Sequence, residues 1–124
     1  MPRPSRSALL ATFVSVLLLG CASGPAELTE DDQALIDGAD LAVVGTDDLD
    51  FDPDVAEVDA GEVTIALTCE QGVNHNLVIG DDIVAVCGRG ETASGTVDLD
   101  PGEHEYVCTV PGHSQRMRGT LTAS

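Results

Sequence analysis

The chain has 124 residues and a mass of 12.8 kDa, a length typical of one domain. Its 22 acidic residues, five arginines and absent lysine give a formal charge of −17, which excludes nucleic-acid binding through a basic face, because phosphate contacts need lysine and arginine. A hydrophobic content of 43% argues against general disorder, and an aromatic content of 2% argues against stacking platforms for bases.

The N-terminus has the pattern of an export signal. Arg3 and Arg6 precede an apolar run over residues 8–19, which is too short for a membrane helix of about 20 residues. The run ends in Leu-Leu-Gly followed by Cys21, which resembles the cleavage box of bacterial lipoproteins. The resemblance implies that residues 1–21 are a lipoprotein signal ending in the lipid-attachment site. The alternative is an ordinary signal peptide that happens to contain a cysteine.

Such a signal places the mature chain outside the cytoplasmic membrane, where disulfides are permitted. Acyl chains on Cys21 would hold it on the outer face of a bacterial membrane, at the cell surface or on the periplasmic side. Residues 22–38 are small, polar and acidic, which predicts a flexible tether that could include one helical turn over residues 32–36.

Residues 39–124 are predicted to form the folded domain. From residue 41 onward, short apolar runs alternate with Gly, Pro and Asp at intervals typical of a β-sandwich or barrel. We therefore predict an all-β fold of about seven to eight strands. The candidate strands are Leu41–Thr46, Val55–Val58, Val63–Cys69, Asn76–Ile79, Ile83–Cys87, Ala93–Leu99, Glu103–Cys108 and Arg118–Thr122.

Four residues offer the donors of a copper site. Cys108, His113 and Met117 lie within ten residues, on a loop between two predicted strands, and His75 lies upstream. Thiolate and thioether stabilise Cu(I), imidazole serves both oxidation states, and two histidines with a cysteine and a weak axial methionine form the blue-copper arrangement. The pattern predicts one type 1 copper ion.

Each donor also has a simpler interpretation. Cys108 could be a buried structural thiol or half of a disulfide, Met117 a core residue, and His75 a surface or capped histidine. The combined spacing favours the ligand interpretation. His104 lies between two glutamates in a predicted hairpin strand, and we interpret it as solvated and not as a ligand.

From Leu41 to Leu121 the chain resembles the cupredoxins, the small blue copper proteins, and its ligand loop is similar to that of azurin and auracyanin. The resemblance implies a Greek-key sandwich. It also implies equatorial ligands His75, Cys108 and His113, and the axial ligand Met117.

The same resemblance gives roles to residues around the ligands. Asn76 and Thr109 would tie the two ligand segments together by hydrogen bonds, and Tyr106 would be a core aromatic under the site. Asn74 departs from azurin, which has a glycine before its first histidine ligand.

Cys69 and Cys87 remain if Cys21 is acylated and Cys108 binds metal. In an oxidising compartment they are predicted to form a disulfide. The bridge would stabilise the fold by about 3 kcal/mol for a loop of this size and restrain the segment that holds His75. The alternative is a pair of free buried thiols.

The predicted function is that of a membrane-anchored electron carrier, and the protein is predicted to be a monomer. It is not predicted to be an enzyme, because no general base or nucleophile accompanies the donors. The partner would be a redox protein, such as a basic c-type cytochrome, docked by electrostatic steering. The negative charge could equally serve solubility or a high-salt habitat. The alternative function is copper storage or delivery, although the chain lacks Met-rich or His-rich exposed segments.

Overall fold

The computed structural model describes residues 27–124, which form one short helix and nine strands. The predicted signal, with Cys21, lies outside the described residues, and in residues 27–124 no helix has the length and apolar character needed to span a membrane. The elements are α1 (Glu30–Asp37), β1 (Leu41–Gly45), β2 (Phe51–Asp52), β3 (Val55–Val58), β4 (Gly61–Cys69), β5 (His75–Ile79), β6 (Asp82–Cys87), β7 (Thr92–Leu99), β8 (Gly102–Val107) and β9 (Arg118–Ala123).

The strands form two sheets, in the orders β2-β1-β4-β7 and β3-β9-β8-β5-β6. Pairing is antiparallel except between β1 and β4 and between β3 and β9. The inward-facing side chains of both sheets form one hydrophobic core, in which Ile65, Leu67, Leu77, Tyr106 and Leu121 are fully buried. The structure thus confirms the predicted all-β Greek-key sandwich.

The eight predicted strands end within two residues of the observed ones, and the differences have local causes. Thr46 leaves β1 because its amide bonds the carbonyl of Asp50 in a turn. Cys108 leaves β8 because its amide bonds the carbonyl of Met117 across the loop. The ninth strand, β2, was not predicted, because two residues are too few to show an alternating pattern.

Helix α1 lies within the predicted tether and is longer than the single turn expected there. Thr29 caps it: its hydroxyl accepts from the Asp32 amide at 3.1 Å, and the Asp32 carboxylate accepts from the Thr29 amide at 2.9 Å. The Thr29 amide and hydroxyl both donate to the Asp32 carboxylate, and these two hydrogen bonds lower the pKa of Asp32. The helix packs against β4 and β7 of the first sheet, and none of its side chains is buried.

The predicted metal ligands lie at one end of the sandwich, which we call the site end. It is defined by the loops 46–50, 70–74, 88–91 and 108–117, where strands of both sheets end or begin. The far end is defined by the turns 59–60, 80–81 and 100–101. Because both sides of each loop continue into paired strands, the loops at the site end are held at two points.

Candidate metal centre

The structure brings the predicted nitrogen and sulfur ligands together at the site end. The Sγ of Cys108 lies 3.9 Å from the Nδ1 of His75 and 3.7 Å from the Nδ1 of His113, and the two Nδ1 atoms are 3.3 Å apart. An ion bonded to all three at about 2.0–2.3 Å, the range for nitrogen and thiolate ligands, requires such short separations. The three residues are therefore placed to share one metal ion.

Met117 closes the same loop. Its carbonyl accepts from the Cys108 amide at 3.1 Å, and its own amide bonds the carbonyl of His113 at 3.0 Å. The side chains of Met117, Cys108 and His75 are fully buried, whereas His113 is partly exposed. Among the described cysteines, Cys108 is the free one. A buried thiol facing two imidazole nitrogens, on a loop that also carries a buried thioether, matches the donor preferences of copper.

His75 is held in the tautomer that a metal needs. Its Nε2 donates to the carbonyl of Thr46 at 2.9 Å. A carbonyl only accepts, so the neutral ring carries its proton on Nε2 and keeps a lone pair on Nδ1, the atom that faces Cys108 and His113. Burial lowers the pKa of His75 from its ordinary value of 6.5, which favours the neutral ligand form.

Sequence reasoning missed two contributions to this arrangement, one from the last residue of β1 and one from the residue that follows it. One is the Thr46 carbonyl, a backbone atom that every residue type possesses. The other is Gly45, where an added Cβ would lie 2.5 Å from the Cδ2 of His75. Only glycine leaves room for the imidazole there. Both contacts depend on how the two sheets face each other at the site end, which the sequence alone does not give.

Asn76 and Thr109 are joined as the resemblance implied. The Asn76 amide donates to the Thr109 hydroxyl at 2.8 Å, and the Thr109 backbone amide donates to the Asn76 carbonyl oxygen at 2.7 Å. The pair connects β5, which carries His75, to the start of the loop that carries the other ligands.

Tyr106 is a core aromatic, as expected. Its ring centroid lies 5.2 Å from that of Phe51, and its hydroxyl donates to the carbonyl of Pro53 at 2.6 Å. Burial, with a smaller contribution from Asp54, raises the pKa of Tyr106 to about 12. His104 lies on β8 away from the ligand group, where its Nε2 donates to the carbonyl of Asp100 at 2.7 Å.

The predicted disulfide is present. Cys69 and Cys87, with Cα atoms 5.8 Å apart, are bonded and fully buried. The bridge joins the end of β4 in one sheet to the end of β6 in the other, so it crosslinks the two sheets at the site end.

Comparisons with known proteins agree with the geometry. No curated protein matches the chain. Among solved structures it is similar to auracyanin A, a "blue" copper protein from the green thermophilic photosynthetic bacterium Chloroflexus aurantiacus. The two share 24% identity with a TM-score of 0.60, over 67% of this chain and 96% of that one. It is also similar to the azurin Az-iso2 from the obligate methylotroph Methylomonas sp. strain J, with 20% identity and a TM-score of 0.57, over 67% of this chain and 95% of that one.

A family model described as "Copper binding proteins, plastocyanin/azurin family" matches residues 39–124. The chain therefore has a type 1 copper site, formed by His75, Cys108, His113 and Met117. The ligand atoms of His75, Cys108 and His113 all lie within 4.8 Å of one another. On the family match and on this donor set, the chain belongs to the plastocyanin/azurin family of copper-binding proteins.

Proposed function

We propose that the protein is a one-electron carrier and not an enzyme. The observation that carries the proposal is the burial of the donor set: three of the four ligand side chains are fully buried, and His113 alone is partly exposed. Bound copper supplies the one-electron chemistry by alternating between Cu(II) and Cu(I). Buried ligands leave little room for a substrate, whereas the exposed edge of His113 offers an electron a route to the surface.

The surroundings of the ligands are suited to this role. Electron transfer is fast when the ligands move little between oxidation states, and each ligand segment here is fixed by hydrogen bonds. The Thr46 carbonyl holds His75, the Asn76–Thr109 pair joins the two ligand segments, and backbone bonds close the loop between Cys108 and Met117. Pro111 and Gly112 are exposed beside His113 and would form the contact surface for a partner.

We also propose that Cys21 carries lipid and anchors the chain outside the cytoplasmic membrane. The support is the sequence pattern of residues 1–21, together with the Cys69–Cys87 disulfide, since structural disulfides are typical of exported proteins. Incorporation of labelled fatty acid into the wild-type protein, and its loss in Cys21→Ala, would support the anchor. Equal labelling of both proteins would contradict it.

The partner would be a redox protein with a basic docking surface, such as a c-type cytochrome. This protein would bind that partner as a monomer. The described residues hold three arginines against 22 carboxylates. Asp47 and Glu70 lie close enough to His75 to act on its charge, and both are fixed by hydrogen bonds from backbone amides. A negative surface beside the ligands attracts a positive partner over a range set by ionic strength.

The copper role is tested by adding Cu(II) to the mature protein. We expect an intense visible absorption that disappears on adding ascorbate and is absent in Cys108→Ser. The exposed neighbour Gln115 provides the control: Gln115→Ala should keep the absorption. Full copper occupancy without colour would contradict the carrier proposal and indicate storage.

The docking proposal needs a separate measurement. The rate of reduction by a basic c-type cytochrome should fall as salt is added, and should fall at low salt in the pair Asp47→Asn/Glu70→Gln. These substitutions remove charge but keep the oxygens that accept the amide hydrogen bonds. The matched control is Asp81→Asn/Asp98→Asn at the far end. A rate that is independent of ionic strength would contradict steering.

A further inference from the structure

The Cys69–Cys87 disulfide lies in the same corner of the molecule as His75. In the pairing of β5 with β6, Cys87 is directly opposite His75. In the pairing of β1 with β4, Cys69 is directly opposite Gly45, whose missing side chain leaves room for the His75 ring. The bridge thus connects Cys87, the cross-strand neighbour of His75, to Cys69, the cross-strand neighbour of Gly45. The His75 ring packs against Gly45.

A second contact joins the sheets at this point. His75 belongs to the sheet with β5 and β6, but the acceptor of its Nε2 proton is the carbonyl of Thr46, which follows β1 of the other sheet. The direction of the imidazole therefore depends on the distance between the two sheets at the site end. A hydrogen bond at 2.9 Å tolerates a change of only a few tenths of an ångström.

Packing alone holds sandwiched sheets less rigidly than a covalent bond does, because apolar contacts have no preferred direction. From these contacts we propose that the Cys69–Cys87 disulfide is a positioning element for the copper site. It fixes the spacing of the sheets where His75 meets Thr46 and so keeps Nδ1 directed at Cys108 and His113. The inference builds on the proposed electron-carrier function and assigns the bridge a part in keeping the ligands still.

Loss of the Cys69–Cys87 bridge should change the position of His75 and leave the other three ligands in place. The other three ligands lie between β8 and β9, two neighbouring strands of one sheet, and their loop is closed by its own backbone hydrogen bonds. Without the bridge, Nδ1 of His75 would occupy a wider range of positions relative to the Sγ of Cys108. A wider range of ligand positions broadens the spectroscopic signals of bound Cu(II) and makes metal loss faster.

The test compares the double variant Cys69→Ala/Cys87→Ala with Leu99→Ala. Leu99 is buried at the end of β7 by the far end, so its truncation destabilises the core without touching the ligands. Amide hydrogen exchange of the metal-free proteins is measured at His75–Leu77 and at Arg118–Thr120. In the double variant we expect exchange to be faster than in wild type, by a larger factor at His75–Leu77 than at Arg118–Thr120. In Leu99→Ala we expect exchange to accelerate by similar factors at both segments.

Copper-loaded samples provide the second readout. The electron paramagnetic resonance spectrum of Cu(II) should broaden in the double variant and remain as in wild type in Leu99→Ala. Identical spectra in all three proteins, or equal acceleration of exchange at both places in the double variant, would overturn the proposal and leave the bridge a general stabiliser.

Phosphine reduction of the metal-free wild-type protein repeats the exchange comparison without a substitution, in case the double variant does not fold. The phosphine takes the oxygen of one water molecule and becomes its oxide; its two electrons, with the two protons of that water, convert the disulfide to two thiols. Because the exchange measurement needs no copper, it stands even if the wild-type protein fails to give the visible absorption, a result that would contradict the proposed function alone.

Discussion

At the scale of single residues, the site depends on where one proton and one lone pair lie. The Nε2 proton of His75 goes to the Thr46 carbonyl, which leaves Nδ1 free to face Cys108 at 3.9 Å. The ring is fully buried against Gly45, so neither its tautomer nor its position is free to change without moving the backbone. Two changes, in volume and in pH, test this description.

Gly45→Ala adds a methyl group where no space exists. Its Cβ would lie 2.5 Å from the Cδ2 of His75, so the imidazole or the backbone of β1 must shift. Overpacking of this kind costs about 1–3 kcal/mol of unfolding free energy. We expect that loss in urea denaturation together with an altered visible spectrum of the copper form.

The control for this substitution is Val44→Ala. Val44 precedes Gly45 on β1, and successive side chains of a strand point to opposite faces. It should lower stability while leaving the copper spectrum as in wild type. A wild-type spectrum in Gly45→Ala would show that the ring does not rest on this glycine.

The buried imidazole also predicts a pH dependence of the metal-free protein. Burial lowers the pKa of His75 in the folded state, whereas the unfolded chain binds the proton near pH 6.5. The unfolded state therefore binds more protons between these two pKa values, and the free energy of unfolding falls as the pH falls through 6.5 toward the lowered pKa. Urea denaturation across this range should show a steeper fall in wild type than in His75→Gln. Parallel curves would contradict the prediction.

At the scale of elements, the metal site is formed where β5 meets the loop between β8 and β9. The two segments are far apart in the chain, and β5 pairs with β8 through only Val78 and Ile79, away from the ligands. Near the ligands the connection is made instead by Asn76 and Thr109 through two reciprocal hydrogen bonds. The Asn76–Thr109 hydrogen bonds therefore connect the two segments at the site end, as backbone hydrogen bonds connect β5 and β8 further along the strands.

Asn76→Ala removes both hydrogen bonds. We expect a loss of about 1–2 kcal/mol in unfolding free energy, because the Thr109 amide and hydroxyl lose their partner, and faster release of copper to a chelator. Asn74→Ala is the matched control, since Asn74 is exposed two residues earlier. Equal copper release from both variants would contradict a specific role for Asn76.

At the scale of the whole molecule, charge is distributed unevenly. The three arginines of the described residues, Arg89, Arg116 and Arg118, all lie at the site end, in or next to its loops. One ion pair is formed within residues 27–124, between Arg118 and Glu105. The far end carries carboxylates without a basic residue among its turns, so repulsion there opposes folding.

Added salt should therefore stabilise the protein. The Debye length falls from about 10 Å at 0.1 M to about 3 Å at 1 M salt, which screens repulsion between surface carboxylates. We expect the melting temperature to rise with sodium chloride, and to rise less in a variant with four of these charges removed, Asp81→Asn/Asp82→Asn/Asp98→Asn/Asp100→Asn. A melting temperature that is independent of salt would contradict this account of the charge.

The sequence by itself determined the all-β class, most strand positions, the four copper ligands and the disulfide partners. These depend on local alternation, on residue chemistry and on short spacings such as that from Cys108 to Met117, all of which are readable along the chain. The tertiary structure alone decided that the Thr46 carbonyl orients His75, that Gly45 makes room for its ring, and that the disulfide lies beside them. Those relations depend on how distant strands are paired and on backbone atoms common to all residues, so no residue pattern records them.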